Sequence, residues 1–139
     1  MAHILIADED DIAAELAAGM LVAVGHKCAF VSDAAEAWRL LRWRRPDLLL
    51  LDEAMPDESG ASFLRRLRGS AEYCDLPVIV LSSGLDGDGR DVVGKPLEPG
   101  LLQRKVDHAL QRPQQGEPDE WAEFQLRTRK HGPPGKVYL

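Results

Sequence analysis

The fold is decided by the stretch PDLLLLDE at residues 46–53, in which four successive leucines end in two acids. A strand that faces water on one side alternates apolar and polar residues, whereas this run is apolar at every position. It therefore predicts a β-strand that is covered on both faces. Further four-residue apolar runs occupy residues 4–7, 28–31 and 78–81, and a weaker one occupies 91–94.

Segments with helical spacing connect the apolar runs. Ile12, Leu16 and Met20 recur on one face of the first segment, and Asp33 with Glu36 forms a capping-box pattern at the start of the second. Strands that alternate with helices favour parallel pairing through right-handed crossovers. We therefore expect an α/β fold, a doubly wound five-stranded parallel sheet with helices on both faces.

The crossover between the fourth and fifth apolar runs is short. Between Ser82 and Lys95 the sequence has glycines at 84, 87 and 89, and glycine is a poor helix former. A parallel crossover normally needs a dozen or more residues, most often with a helix among them. We therefore expect the fourth helix of the fold to be reduced or absent.

Length and composition favour one domain followed by a tail. The chain has 139 residues, of which 45% are hydrophobic and 29% are charged, as is ordinary for a globular protein. Near the end the sequence turns polar, starting at Pro113, which cannot continue a helix. We expect a domain at residues 1–112 and a linker or tail at 113–139, with room for one short helix at 118–130.

Charge and cysteine content narrow the expected partners. The formal net charge is −6, and phosphate contacts require a basic surface, so nucleic acid is not expected as a partner. No apolar stretch approaches the roughly 18 residues of a membrane span, and the run that begins at residue 4 leaves no room for a signal peptide before it. Cys28 and Cys74 are not spaced as a metal-binding pair. We expect a cytoplasmic protein with reduced thiols and no contact with membranes.

Polar side chains follow the apolar runs, at the predicted carboxyl ends of the strands. Asp8 and Glu9 follow the first run and Asp52 follows the leucines, while Ser82 and Lys95 end the last two runs. If the first and third strands are neighbours, three carboxylates converge, and repulsion of about 4 kcal/mol per close pair calls for a cation or a raised pKa. Oxygen ligands in a small open site suit Mg²⁺. Each of these residues also has a simpler interpretation. The acids after the first run can stabilise a helix N-terminus, and Asp52 can simply end a strand. Ser82 can belong to a turn, and Lys95 can be a surface lysine.

Together these segments resemble the receiver domain of bacterial two-component response regulators. The resemblance covers roughly residues 3–111 and is carried by ILIADE at 4–9, by PDLLLLDEAMP at 46–56 with Gly60, by the strand at 76–82 and by Lys95-Pro96. Each motif alone is weak, but all occur in order, each at the end of the expected strand. The resemblance implies a flavodoxin-like, receiver-type sheet.

The resemblance also implies a function. Asp52 would accept a phosphoryl group from a histidine kinase or a phosphotransfer protein. The ligands of Mg²⁺ would be the side chains of Asp8, Glu9 and Asp52 and the backbone carbonyl of Ala54. A stand-alone receiver of this kind would signal to an unknown downstream protein. It would be no enzyme beyond its own phosphorylation and dephosphorylation.

Five further positions match the family pattern. The resemblance implies that Ser82, as the switch hydroxyl, and Lys95 contact the phosphoryl group, and that a cis peptide bond precedes Pro96. Pro56 and Gly60 would be structural positions of the motif that follows the phosphoacceptor.

Two alternatives stay open. The family often has an aromatic residue three positions before the lysine, where this chain has Val92, so an aromatic flip cannot be its signal. That departure and the short crossover favour an interaction module that does not switch. The residues Asp8-Glu9-Asp10 also resemble the D-x-D motif of haloacid-dehalogenase-type phosphatases, although that family needs a longer chain and leaves the Asp52 motif unexplained.

Overall fold

A computed structural model describes residues 1–82 and 92–111 of the chain. Within these residues it has five strands, which are β1 (His3–Ala7), β2 (Lys27–Val31), β3 (Leu48–Asp52), β4 (Val78–Ser82) and β5 (Val92–Gly94). It also has four helices, which are α1 (Asp11–Val22), α2 (Ala34–Trp43), α3 (Gly60–Arg68) and α4 (Pro99–Gln111). The strands form one parallel sheet in the order β2-β1-β3-β4-β5, which confirms the predicted doubly wound five-stranded sheet.

Two predictions fall on residues that the structure does not describe. The reduced or absent fourth helix was placed between β4 and β5, and residues 83–91 lie outside the described residues. The division between a domain at 1–112 and a tail at 113–139, with its short helix at 118–130, also lies outside them.

The leucine run forms the central strand, β3, and all five residues of that strand are buried. Leu48 and Leu50 pack in the layer formed with α1 and α4, whereas Leu49 and Leu51 pack in the layer formed with α2 and α3. Full burial of one leucine side chain contributes roughly 1.5–3 kcal/mol relative to its exposure. The run therefore joins the two hydrophobic layers and fixes β3 between them.

The carboxyl ends of β1 and β3 lie side by side at the point where the strand order reverses. β1 pairs with both β2 and β3, and its register with β3 sets Ala7 opposite Leu51. Asp8 and Asp52, which come directly after these two residues, therefore emerge together at one edge of the sheet. In open α/β sheets ligands bind in the crevice at such a point.

The helices are short, and polar side chains begin three of them. Asp10, Asp33 and Ser59 accept hydrogen bonds from backbone N–H groups in the first turns of α1, α2 and α3. The predicted start at Asp33 is confirmed, since the N–H of Glu36 donates to its Oδ1 at 2.8 Å. In the described part of the chain, no helix has the length and apolar character needed to cross a membrane.

Gly60 begins α3 directly against the end of β3. A Cβ atom at this position would lie 2.6 Å from the backbone oxygen of Asp52 and 2.8 Å from the Cα of Glu53. The Gly60 N–H also donates to the Glu53 carbonyl at 2.9 Å. This close approach of two backbones gives a physical reason for the glycine that the sequence motif indicates.

We predict that Gly60→Ala lowers the free energy of unfolding by about 1–3 kcal/mol, because the backbone beside Asp52 must move to admit the methyl group. The control is Gly19→Ala in α1, where an added Cβ meets no heavy atom within 4 Å. That change should raise the free energy of unfolding by about 0.5–1 kcal/mol, since alanine is the better helix former. Urea unfolding followed by circular dichroism measures both, and equal effects would contradict the close approach.

Candidate functional site

Three charged side chains meet at the carboxyl edge of the sheet. Asp8 follows β1, Asp52 ends β3 and Lys95 follows β5. The Nζ atom of Lys95 lies 2.9 Å from Oδ2 of Asp8 and 3.4 Å from Oδ1 of Asp52. Asp8 is 1% exposed and Asp52 is 6% exposed. The structure thus brings together two of the three predicted carboxylates, with the predicted lysine between them; this group is called the acidic cluster below.

Backbone groups fix Asp8 in the acidic cluster. Its own N–H donates to the carbonyl of Val31 at 3.0 Å, which extends the pairing of β1 with β2 by one residue. Its Oδ1 accepts the N–H of Asp10 at 3.0 Å. Its Oδ2 is buried and has no hydrogen-bond partner of good geometry, so it meets Lys95 as an ion pair. One carboxylate oxygen of Asp8 is therefore bound to backbone and the other is available to a cation.

The environment shifts the pKa values of the two groups that face Asp8. Burial and the negative charge of Asp8 raise the pKa of Asp52, against the opposing effects of the Lys95 ammonium and the Ala54 N–H. Burial acts to lower the pKa of Lys95, but its contacts with Asp8 and Asp52 outweigh burial and raise it. Lys95 is therefore a permanent cation, and Asp52 is a more basic carboxylate than an ordinary aspartate.

The ends of β4 and β5 hold the other predicted phosphoryl contacts. Ser82 is 6% exposed and ends β4, the strand beside β3. The backbone N–H of Lys95 donates to the Ser82 carbonyl at 2.8 Å, so the two residues are fixed to each other. The peptide bond between Lys95 and Pro96 is cis, as the resemblance implied.

The remaining predicted residues lie at the rim of the site. Glu9, Ala54 and Pro56 are exposed. Among residues 1–82 and 92–111, no three acidic, histidine or cysteine side chains are grouped so that they could hold a metal ion, so Glu9 does not join Asp8 and Asp52. The backbone N–H of Ala54, in contrast, acts on the Asp52 carboxylate and lowers its pKa. The metal-ligand roles of Glu9 and of the Ala54 carbonyl stay predictions.

Sequence reasoning missed Asp57, which lies in the loop between β3 and α3. Its carboxylate accepts the backbone N–H of Ala34 at 2.9 Å and that of Ala35 at 3.1 Å, both in the first turn of α2. Hydrogen bonds from these two groups lower the pKa of Asp57, and the bond from Ala34 has the larger effect. The sequence signal is only an acid that follows Pro56, because its partners lie more than 20 residues earlier in the chain.

The residues of the acidic cluster fit a hard divalent cation. Two buried carboxylates face a single ammonium, so the cluster carries an excess of negative charge when both are ionised. Oδ2 of Asp8 adds a buried oxygen without a hydrogen bond. Mg²⁺ is commonly held by one or two carboxylates and completes its coordination with water and phosphate oxygens. Asp8 and Asp52 are therefore the two side chains of the cluster whose chemistry fits this ion.

A doubly wound sheet with an acidic cluster at its switch point defines a small α/β protein whose site suits phosphate chemistry. Comparison with protein families identifies the family to which this fold and site belong. The model of the response regulator receiver domain family matches residues 4–107. The chain belongs to this family.

Individual proteins that resemble this chain are regulatory proteins, response regulators or receiver domains by name. The phosphate regulon transcriptional regulatory protein PhoB of Pseudomonas aeruginosa is 30% identical over 118 residues, which cover 78% of this chain and 52% of PhoB. The DNA-binding response regulator MtrA of Mycolicibacterium smegmatis is 32% identical over 119 residues, or 79% of this chain and 51% of MtrA. The receiver domain of a signal transduction histidine kinase from Syntrophus aciditrophicus superimposes with a TM-score of 0.73 at 28% identity, covering 84% of this chain and 96% of that domain. The chain spans about half the length of the curated relatives it matches.

We predict that Asp52→Asn raises the melting temperature at pH 7 by a few degrees. The pKa of Asp52 is raised on folding, so the ionised carboxylate is the form that the folded chain disfavours. Near and below the ordinary aspartate pKa of 3.8 the gain should vanish, because the carboxyl is then protonated in the folded and unfolded chains alike. It should grow as the pH rises from that value towards the raised pKa of the folded chain, and it should stay constant above it. Thermal unfolding at a series of pH values measures this difference, and a gain that persists in acid would contradict it.

Proposed function

We propose that the chain acts in a phosphorelay and that Asp52 accepts a phosphoryl group from a phosphohistidine. Membership of the receiver domain family supports phosphorelay signalling in general. The finer assignment to Asp52 rests on one observation, which is a buried carboxylate of raised pKa beside a permanent ammonium at the switch point of the sheet. A basic carboxylate is the better nucleophile, and the ammonium attracts the dianionic phosphoryl group.

The transfer exchanges one bond for another. A carboxylate oxygen of Asp52 attacks the phosphorus in line, a new O–P bond forms, and the N–P bond to the donor imidazole breaks. The electron pair of the broken bond stays on the imidazole nitrogen of the donor. Lys95, which already contacts Asp52 at 3.4 Å, would neutralise charge on the phosphoryl oxygens, and Ser82, which ends the neighbouring strand β4, would donate its hydroxyl to one of them.

Mg²⁺ is the cofactor that we propose for this step. Asp8 and Asp52 would hold it, with Glu9 and the Ala54 carbonyl as the further ligands that the sequence motif implies. Bound there, the ion would supply electrostatic neutralisation of the phosphoryl group. Oδ2 of Asp8, which lies 2.9 Å from the Lys95 ammonium, would be the oxygen that binds the ion, since Oδ1 accepts the backbone N–H of Asp10.

The proposed partners are proteins. A histidine kinase or a phosphotransfer protein would donate the phosphoryl group, and the new charge of about −1.5 to −2 on Asp52 would alter contacts with a downstream protein. We propose a cytoplasmic protein without contacts to membranes or nucleic acid, and no enzymatic turnover beyond phosphorylation and dephosphorylation of the chain itself. The name of the relative MtrA describes it as DNA-binding. This chain matches only about half of MtrA, so DNA binding is not proposed for this chain.

The two alternatives gain different support. Val92 lies in β5, as the sequence predicts, at the position where the family often has an aromatic residue. A receiver that binds partners without switching therefore stays a candidate. A D-x-D phosphatase would use Asp10 in catalysis. Oδ1 of Asp10 instead accepts the N–H groups of Ile12 and Ala13 as the N-cap of α1, which lends that alternative no support.

We predict that incubation with acetyl phosphate and Mg²⁺ adds one phosphoryl group to the chain, because the acidic cluster combines the nucleophile with its counter-ion. Intact-mass spectrometry measures the addition. Asp52→Asn and removal of Mg²⁺ with EDTA should each abolish it. Glu53→Gln, which changes the exposed neighbouring carboxylate, is the matched control and should keep it. No addition to the wild-type chain, or addition that survives Asp52→Asn, would overturn the assignment.

A further inference from the structure

Asp57 ties two separate parts of the fold together. It belongs to the loop of residues 53–59, called the acceptor loop here, which runs from the end of β3 to the start of α3. Both of its carboxylate oxygens are bound to α2, one by the N–H of Ala34 at 2.9 Å and the other by the N–H of Ala35 at 3.1 Å. The acceptor loop is thereby fastened to a helix that lies outside its own strand–helix unit.

This contact is more than an ordinary helix cap. α2 already has a local cap, since Asp33 accepts the N–H of Glu36 at 2.8 Å. A helix leaves its first four N–H groups without partners inside the helix, and Asp57 takes the first two of them. The lowered pKa of Asp57 keeps it ionised at neutral pH, and an ionised carboxylate at a helix N-terminus is also favoured by the helix dipole.

The other end of the acceptor loop touches the phosphoacceptor. The backbone N–H of Ala54 faces the Asp52 carboxylate closely enough to act on its pKa, which it lowers. The two ends of the loop are joined, because Ala54 bridges to Ser59 and the N–H of Gly60 donates to the Glu53 carbonyl at 2.9 Å. The loop is therefore closed at its base, and only Met55 and Pro56 separate Ala54 from Asp57.

Burial supports the same path. Met55 lies between Ala54 and the tip of the loop, is 7% exposed, and belongs to the same hydrophobic layer as Ala34. The acceptor loop thus contributes Met55 to the hydrophobic layer that also contains the start of α2, and Asp57 binds the loop to that helix directly. Packing of an apolar side chain is not directional, whereas the two hydrogen bonds of Asp57 set where the loop lies along the axis of α2.

We infer that Asp57 is a positioning residue for the phosphoacceptor site: by binding the first turn of α2 it holds the Ala54 backbone against the Asp52 carboxylate. This role rests on the proposed function of Asp52. It acts through the backbone of the acceptor loop, and Asp57 itself touches neither a phosphoryl group nor a metal ion. The start of α2 and the phosphoacceptor would then move as one unit.

The test compares three full-length variants that weaken the same helix start. Asp57→Ala removes the cap and frees the acceptor loop, whereas Asp33→Ala removes only the local cap and leaves the loop fastened. Asp57→Asn keeps one carbonyl oxygen as an acceptor and should behave as a partial rescue. Amide hydrogen exchange reports local opening in each chain, and calorimetric titration with MgCl₂ reports cation binding to the unphosphorylated site.

We expect all three variants to exchange faster at the first turn of α2, and only the two Asp57 variants to exchange faster through residues 53–59. The Mg²⁺ concentration for half-saturation should rise about tenfold in Asp57→Ala and less in Asp57→Asn, as is typical when a supporting contact outside the ligand set is lost. It should stay unchanged in Asp33→Ala.

The possible outcomes separate the two proposals. A wild-type chain that binds Mg²⁺ and takes phosphoryl from acetyl phosphate, with Asp57→Ala indistinguishable from Asp33→Ala, overturns the positioning role alone. A wild-type chain that does neither overturns the proposed function and this role with it. Loss of Mg²⁺ affinity without faster exchange in the acceptor loop would also overturn the role, because the loop is the only path that it invokes.

Discussion

The site depends on one ammonium group placed between two buried carboxylates. Burying a charge costs several kcal/mol, and Asp8 and Asp52 also repel each other, so a cation placed between them stabilises the pair. Lys95 meets both, at 2.9 and 3.4 Å. The arrangement is imposed by the sheet, since β1 and β3 are neighbours and the end of β5 is bound to β4 through Lys95 and Ser82. A pocket that holds more negative than positive charge is suited to a divalent cation and an incoming phosphoryl group.

The fold could be predicted well from the sequence because its strongest signals are local. The run of leucines at 48–51 needs cover on both faces, and the structure divides those leucines between two hydrophobic layers. Asp33 marks the start of α2 because its side chain caps the helix by accepting the N–H of Glu36, only three residues later. The convergence of Asp8, Asp52 and Lys95 followed from one further rule, which is that parallel strands end at the same edge of the sheet.

Other features depend on contacts between distant segments and left little or no sequence signal. Glu9 stands beside Asp8 in the chain, yet it lies in a bend that follows β1, and its side chain is exposed. Asp57 looks like one more polar turn residue, and only the packing of the acceptor loop on α2 supplies its two N–H partners. The close approach that excludes a side chain at Gly60 likewise appears only when α3 is placed against the end of β3.

The central claim is that Asp52 is the phosphoryl acceptor of a cation-assisted site. Fluorine NMR of the chain with beryllium fluoride, a mimic of the phosphoryl group, tests it most directly. The account predicts bound-fluoride signals that require Mg²⁺, are lost in Asp52→Asn, and weaken or shift in Lys95→Met, where the ammonium is replaced by an apolar chain of similar length. Bound-fluoride signals that are unchanged in Asp52→Asn, or that appear without Mg²⁺, would contradict it.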